Sequence, residues 1–143
     1  MGALGSVFLD ASAVIYLLEG APGVRKAVTE VLADLRDRQG DPQLTVSALS
    51  LLECRVRPLR EGNQAVLARY EDFFSDPGLL LVPLERDVLD RVARLRAEHP
   101  LKTPDAIQAA SALELGAGIP FVTGDGDFST IPGLTLYQVT PHT

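Results

Sequence analysis

Short apolar runs alternate with helix-periodic segments along this chain, and that alternation narrows its fold more than any other feature. Residues 7–9, 44–46, 79–82, 119–123 and 134–139 read as strands. Residues 79–82 are apolar throughout, the pattern of a strand buried on both faces. Between the first two runs, Ser12 is placed to cap a short helix over residues 13–19. Val24, Val28, Val31, Leu32 and Leu35 then mark a longer helix that starts near Pro22, ends at Gly40 and turns this face to the core. Ser47 or Ser50 caps the next helix, which carries Glu53 in its opening turns and is kinked or ended by Pro58. A helix over 63–74, a turn at Asp76-Pro77-Gly78 and a helix bearing Val88, Leu89, Val92 and Leu95 follow. Thr103 caps the last helix, Pro104 takes its first position, and its alanine-rich body runs over 106–115 to Gly116 and Gly118. Such an order predicts a single α/β domain over residues 1–143, with a mostly parallel sheet of about five strands and helices on both faces.

Composition agrees with a packed domain. At 143 residues and 46% hydrophobic, the chain can fill one core and does not read as disordered. Its net charge, 13 − 19 = −6, counts against a broadly basic nucleic-acid face unless several of the negatives are metal ligands. Arginines do cluster locally, at Arg55, Arg57 and Arg60 and at Arg86, Arg91, Arg94 and Arg96. The single cysteine, Cys54, follows two leucines and reads as a buried, inert thiol. No run approaches the roughly 20 apolar residues of a membrane span, and residues 1–6 lack the pattern of a signal peptide, so a cytoplasmic protein without a membrane partner is expected. His99 and His142 have no second ligand at metal spacing, which speaks against zinc.

Four acids stand out by position: Asp10, Glu53, Asp105 and Asp125. Asp10 and Asp125 directly follow strand-like runs, Glu53 lies in the helix after the second strand, and Asp105 opens a helix that runs into a strand. In a parallel sheet all four positions fall at the carboxyl edge, where ligands bind in open α/β folds. Each alone has an ordinary use as a turn residue, a cap or a partner of a helix dipole. Glu53 fits those uses least, being set between Leu52 and Cys54, where an unpaired charge is costly. A cluster of like charges becomes stable when it holds a hard divalent cation, magnesium or manganese. That is the equipment of a metal-dependent phosphodiesterase.

Four segments carry a resemblance to a known family. Phe8-Leu9-Asp10-Ala11-Ser12, Leu51-Leu52-Glu53-Cys54, Lys102-Thr103-Pro104-Asp105-Ala106 and Val122-Thr123-Gly124-Asp125-Gly126-Asp127-Phe128 resemble, in order and spacing, the PIN-domain nucleases and among them the VapC-like toxins of toxin–antitoxin pairs. The resemblance implies a three-layer α/β/α domain, Mg2+ or Mn2+ as cofactor, and endonucleolytic cleavage of RNA. It also implies a homodimer and a small cognate antitoxin protein. Asp10, Glu53, Asp105 and Asp125 match the family's acidic quartet as catalytic and metal-binding residues, Ser12 and Thr123 match nearby hydroxyl positions, and Asp127 matches a less constant acid. Two other readings compete: a PIN-fold binding module without activity, and a receiver or phosphatase domain. A nucleophilic-aspartate phosphatase wants an acid two residues after the first, where this chain has Ser12. A receiver wants an acceptor aspartate ending its central strand, and residues 79–82 run instead into Pro83-Leu84.

Overall fold

The computed structural model describes residues 5–124 and 128–139. In chain order the elements are β1 (Ser6–Leu9), α1 (Ala11–Glu19), α2 (Pro22–Gln39), β2 (Gln43–Ser47), α3 (Leu49–Glu53), α4 (Val56–Glu61), α5 (Gln64–Phe74), β3 (Leu80–Val82), α6 (Arg86–Glu98), α7 (Thr103–Leu113), β4 (Ile119–Thr123) and β5 (Leu134–Gln138). The strands form one sheet in the order β3-β2-β1-β4-β5, and every pairing is parallel. β1 is central and buried along its whole length, which is why it reads as an unbroken apolar run.

Alternation along β1 separates two cores. Val7 and Leu9 pack with Ala13, Val14, Val28, Leu35, Val66 and Tyr70 of α1, α2 and α5. Phe8 points the other way, among Val88, Val92 and Leu95 of α6 and the alanines of α7. The result is the expected three-layer α/β/α arrangement. On the second face the Phe8 and Phe121 rings stack at 5.3 Å, and Phe128 tilts against Phe121 at 4.7 Å. Val28 and Leu35 are buried and Val31 and Leu32 pack against them, so this face of α2 belongs to the core, as expected.

Several local expectations are corrected. Residues 79–82 are not doubly buried: β3 is an edge strand, and Leu80 is exposed. The central strand is therefore β1, which is followed directly by Asp10, so the case against a receiver shifts from Pro83-Leu84 to topology. A receiver's flavodoxin-like sheet runs 2-1-3-4-5, whereas this one runs β3-β2-β1-β4-β5. The cap of α1 is Asp10, and Ser12 lies inside the helix. The break near Pro58 falls earlier, between Glu53 and Val56, and Pro58 sits in the first turn of α4, where its missing N–H has no helical partner to lose. Lys102, not Thr103, is the N-cap of α7, with Pro104 in the first turn, and α7 ends at Leu113 rather than at 115. Among the described residues no helix is long and apolar enough to cross a membrane.

Candidate active site

Asp10 leaves the central strand at its carboxyl edge and is only 4% exposed. Its Oδ1 accepts the Ala13 N–H at 2.9 Å, which caps α1, and the Ser12 hydroxyl at 2.6 Å. Its Oδ2 accepts the Thr123 hydroxyl at 2.5 Å, from the end of β4. Ser12 is a bridge rather than a cap, because its Oγ also accepts the Gly124 N–H at 2.9 Å. These bonds tie the β1–α1 turn to the end of the neighbouring strand. Gly124 has a steric reason to be glycine: a Cβ there would fall 2.5 Å from Tyr16 Cε2 of α1. Ser12 and Thr123, marked by the resemblance, thus both meet Asp10.

Glu53 ends α3 and is half-buried. Its Oε1 accepts Gln108 Nε2 at 2.9 Å, and the same amide nitrogen reaches Ser50 Oγ at 3.1 Å. Asp105 lies in the first turn of α7, one turn before Gln108. Residues three apart share a helix face, so the Gln108 bond brings the Asp105 face of α7 against α3. Parallel pairing fixes the rest: α3 leaves the carboxyl end of β2, and α7 runs antiparallel into β4, so both present these acids at the Asp10 edge. Asp125 and Asp127 lie outside the described residues.

Hard divalent cations take oxygen ligands, and the candidate donors at this edge are all carboxylates. In kind the donors suit such an ion. Among the described residues no three His, Cys, Asp or Glu side chains converge as a ligand group, so Asp10, Glu53 and Asp105 share an edge without forming a complete site by themselves.

The electrostatics carry the imprint of this edge. The Cys54 thiol is pushed up to about 12, first by burial and then by the negative charges of Glu53, Glu19 and Asp10, with Arg55 opposing. The thiol is therefore inert at neutral pH, as its sequence context suggests. Glu19, which the sequence analysis passed over, accepts the hydroxyl of buried Tyr70. Burial first, and that hydrogen bond second, raise the Tyr70 pKa well above the usual phenol value.

Gln108 is the other residue that sequence reasoning missed. A polar residue in an alanine-rich helix reads as solvent-facing, yet Gln108 is buried, and Ser111 one turn on is buried with it. Ser111 Oγ donates to the Ile107 carbonyl at 2.8 Å and lies 2.9 Å from Ser47 Oγ, which accepts the Leu49 N–H at 3.2 Å. A hydroxyl has one proton, so Ser111 shares it between the Ile107 carbonyl and Ser47 Oγ. The available signal was the i, i+3, i+6 spacing of Asp105, Gln108 and Ser111. The arginines are mostly engaged in local bonds: Arg55 Nε donates to Leu51 O at 2.7 Å, Arg57 pairs with Glu61 at 3.2 Å, and Arg91 pairs with Glu114 at 3.0 Å. Arg60 forms no salt bridge among the described residues.

An all-parallel sheet between helical layers, with acids gathered at its carboxyl edge, defines an α/β domain with an acidic edge site. The chain belongs to the PIN-domain family, whose model matches residues 7–134. Solved structures give the same fold. A toxin–antitoxin complex from Klebsiella pneumoniae superposes with a TM-score of 0.68 at 23% identity, covering 94% of this chain and 100% of that one. VapBC2 from Rickettsia felis, bound to a DNA fragment from its promoter, gives 0.68 at 18% identity, covering 94% and 99%. VapC20 from Mycobacterium tuberculosis, a Sarcin-Ricin loop cleaving toxin, gives 0.68 at 18% identity, covering 87% and 93%. No curated protein sequence matches the chain.

Proposed function

We propose that this protein is a metal-dependent endoribonuclease that hydrolyses RNA phosphodiester bonds, and that it is the toxin of a toxin–antitoxin pair. The observation that carries the reading is Asp10: a carboxylate 4% exposed, at the carboxyl end of the central strand, gripped by donors from α1 and β4. A cap needs only the Ala13 N–H bond. The further hydroxyls from Ser12 and Thr123 fix both oxygens, which suits a ligand more than a turn former. Asp10, Glu53, Asp105 and Asp125 would hold Mg2+ or Mn2+. Bound there, the ion supplies Lewis acidity toward a phosphate oxygen and lowers the pKa of water.

The chain's own residues orient that site. Ser12 and Thr123 keep the Asp10 carboxylate from turning. Asp105 sits where the α7 dipole favours a negative charge. Arg60, on the short helix just beyond Glu53, is available to an RNA backbone. Toxin identity is supported by the Klebsiella pneumoniae and Rickettsia felis complexes, and RNA as substrate by the Mycobacterium tuberculosis toxin. A homodimer and an antitoxin that covers the protein complete the proposal. Exposed Leu52, Val56 and Leu59 on α3 and α4 give such partners apolar surface to bury.

Induced expression in a bacterial host, with mapping of total-RNA 5′ ends, tests this reading. Growth arrest with new ends at a small set of sites is expected, relieved by co-expression of the adjacent antitoxin frame. Normal growth and an unchanged end map, at verified expression, would contradict it.

A further inference from the structure

Gln108 takes its place in the core at an evident cost. The side chain is 3% exposed, and its Oε1 has no hydrogen-bond partner among the described residues. Burying an amide oxygen unsatisfied is unfavourable, and leucine would fill an alanine-rich helix face without it. The donor end explains the amide. Nε2 reaches Glu53 Oε1 at 2.9 Å and Ser50 Oγ at 3.1 Å, two residues one turn apart on α3. Flipping the amide would set an oxygen against a carboxylate oxygen, so the acid dictates which end faces it. Glu53 Oε2 accepts no hydrogen bond among the described residues.

We propose that Gln108 is the positioning residue for Glu53: its amide clamps one carboxylate oxygen and so presents the other to a divalent cation. The inference rests on the metal-dependent reading above and deepens it. Partners behind a metal ligand orient it, and their loss typically weakens metal binding about 10–100-fold.

Calorimetric titration of Mn2+ into the purified full chain tests this, with thermal melts of the metal-free protein alongside. Gln108→Leu should bind Mn2+ about 10–100-fold more weakly than wild type; Gln108→Met is read in its place if the leucine variant does not fold. Ser50→Ala, which removes only the second acceptor, should bind within about 3-fold of wild type, inside the usual spread of such effects. In a Glu53→Ala background, Gln108→Leu should weaken binding no further, a coupling that a purely structural role would not produce. Wild-type Mn2+ affinity in Gln108→Leu, or an undiminished effect in the Glu53→Ala background, overturns the inference alone. Failure of the wild type to bind Mn2+, or equal binding by Asp10→Asn, overturns the nuclease reading and this inference with it.

Discussion

At the scale of the residue, Asp10 does two jobs with one carboxylate. Its Oδ1 caps α1 through the Ala13 N–H, and the whole group is held at the sheet edge by Ser12 and Thr123. The ordinary reading of an aspartate after a strand, a helix cap, is therefore correct here, and the proposed ligand role would be its second job. Substitution separates the two jobs. Asparagine caps helices about as well as aspartate, and the Thr123 hydroxyl can turn to accept from the new amide. Asp10→Asn should therefore keep its stability within about 1 kcal/mol and lose at least about 100-fold in RNA cleavage. Asp10→Ala should lose the same activity and a further 1 kcal/mol or so of stability. Urea unfolding read beside single-turnover cleavage checks both, and an active asparagine variant would contradict the ligand role. Asp10 was legible in the sequence because it directly ends an apolar strand. Gln108 was not, since nothing local distinguishes a buried amide from a solvated one in a helix.

At the scale of the element, the hydroxyl of Tyr70 on α5 donates to Glu19 at the end of α1, joining two helices of one layer. Its pKa is raised in the folded protein, so below pH 10, the ordinary value, both states keep the proton and the bond contributes in full. Above that pH the unfolded chain ionises first while the folded one holds its proton, and stability falls as pH rises. Tyr70→Phe should lose about 1 kcal/mol at pH 8 and decline less than wild type between about pH 10 and 11, a window in which one such group accounts for up to about 1.4 kcal/mol per pH unit. Urea midpoints at three pH values decide it; parallel declines in the two proteins would remove Tyr70 as the cause. On the opposite face, Phe128 is fully buried against Phe121. Phe128→Ala should destabilise by about 3–5 kcal/mol, read by thermal melting, and a loss under 1 kcal/mol would show that the ring is not part of the core. Elements were readable where burial imposes a period, as in β1, α2 and α6. Caps and edges were not. Asp10 and Ser12 are both good caps two residues apart, and only the path of the chain chooses between them. β3 shows the same limit, because an apolar run does not reveal whether a neighbour strand lies on both sides.

At the scale of the molecule, five parallel strands carry residues distant in sequence to one carboxyl edge, and two helices bring their acids to it. The strand order, with β1 central, gives Asp10 the middle position, flanked by β2 leading to α3 and by β4 preceded by α7. The placement of Asp10, Glu53 and Asp105 along that edge follows from element order, while Asp125 lies outside the described residues and no three acids converge among the described ones. The net charge of −6 is unfavourable for an RNA-binding surface until cations neutralise the edge, so activity and metal should rise together. The most direct test is cleavage of a defined RNA by purified wild type and Asp10→Asn, with Mg2+, with a chelator, and with Mn2+ restored after chelation. Wild type should cleave with Mg2+, stop with the chelator and recover with Mn2+, while Asp10→Asn stays silent throughout. Undiminished cleavage under chelation, or by Asp10→Asn, would contradict the account.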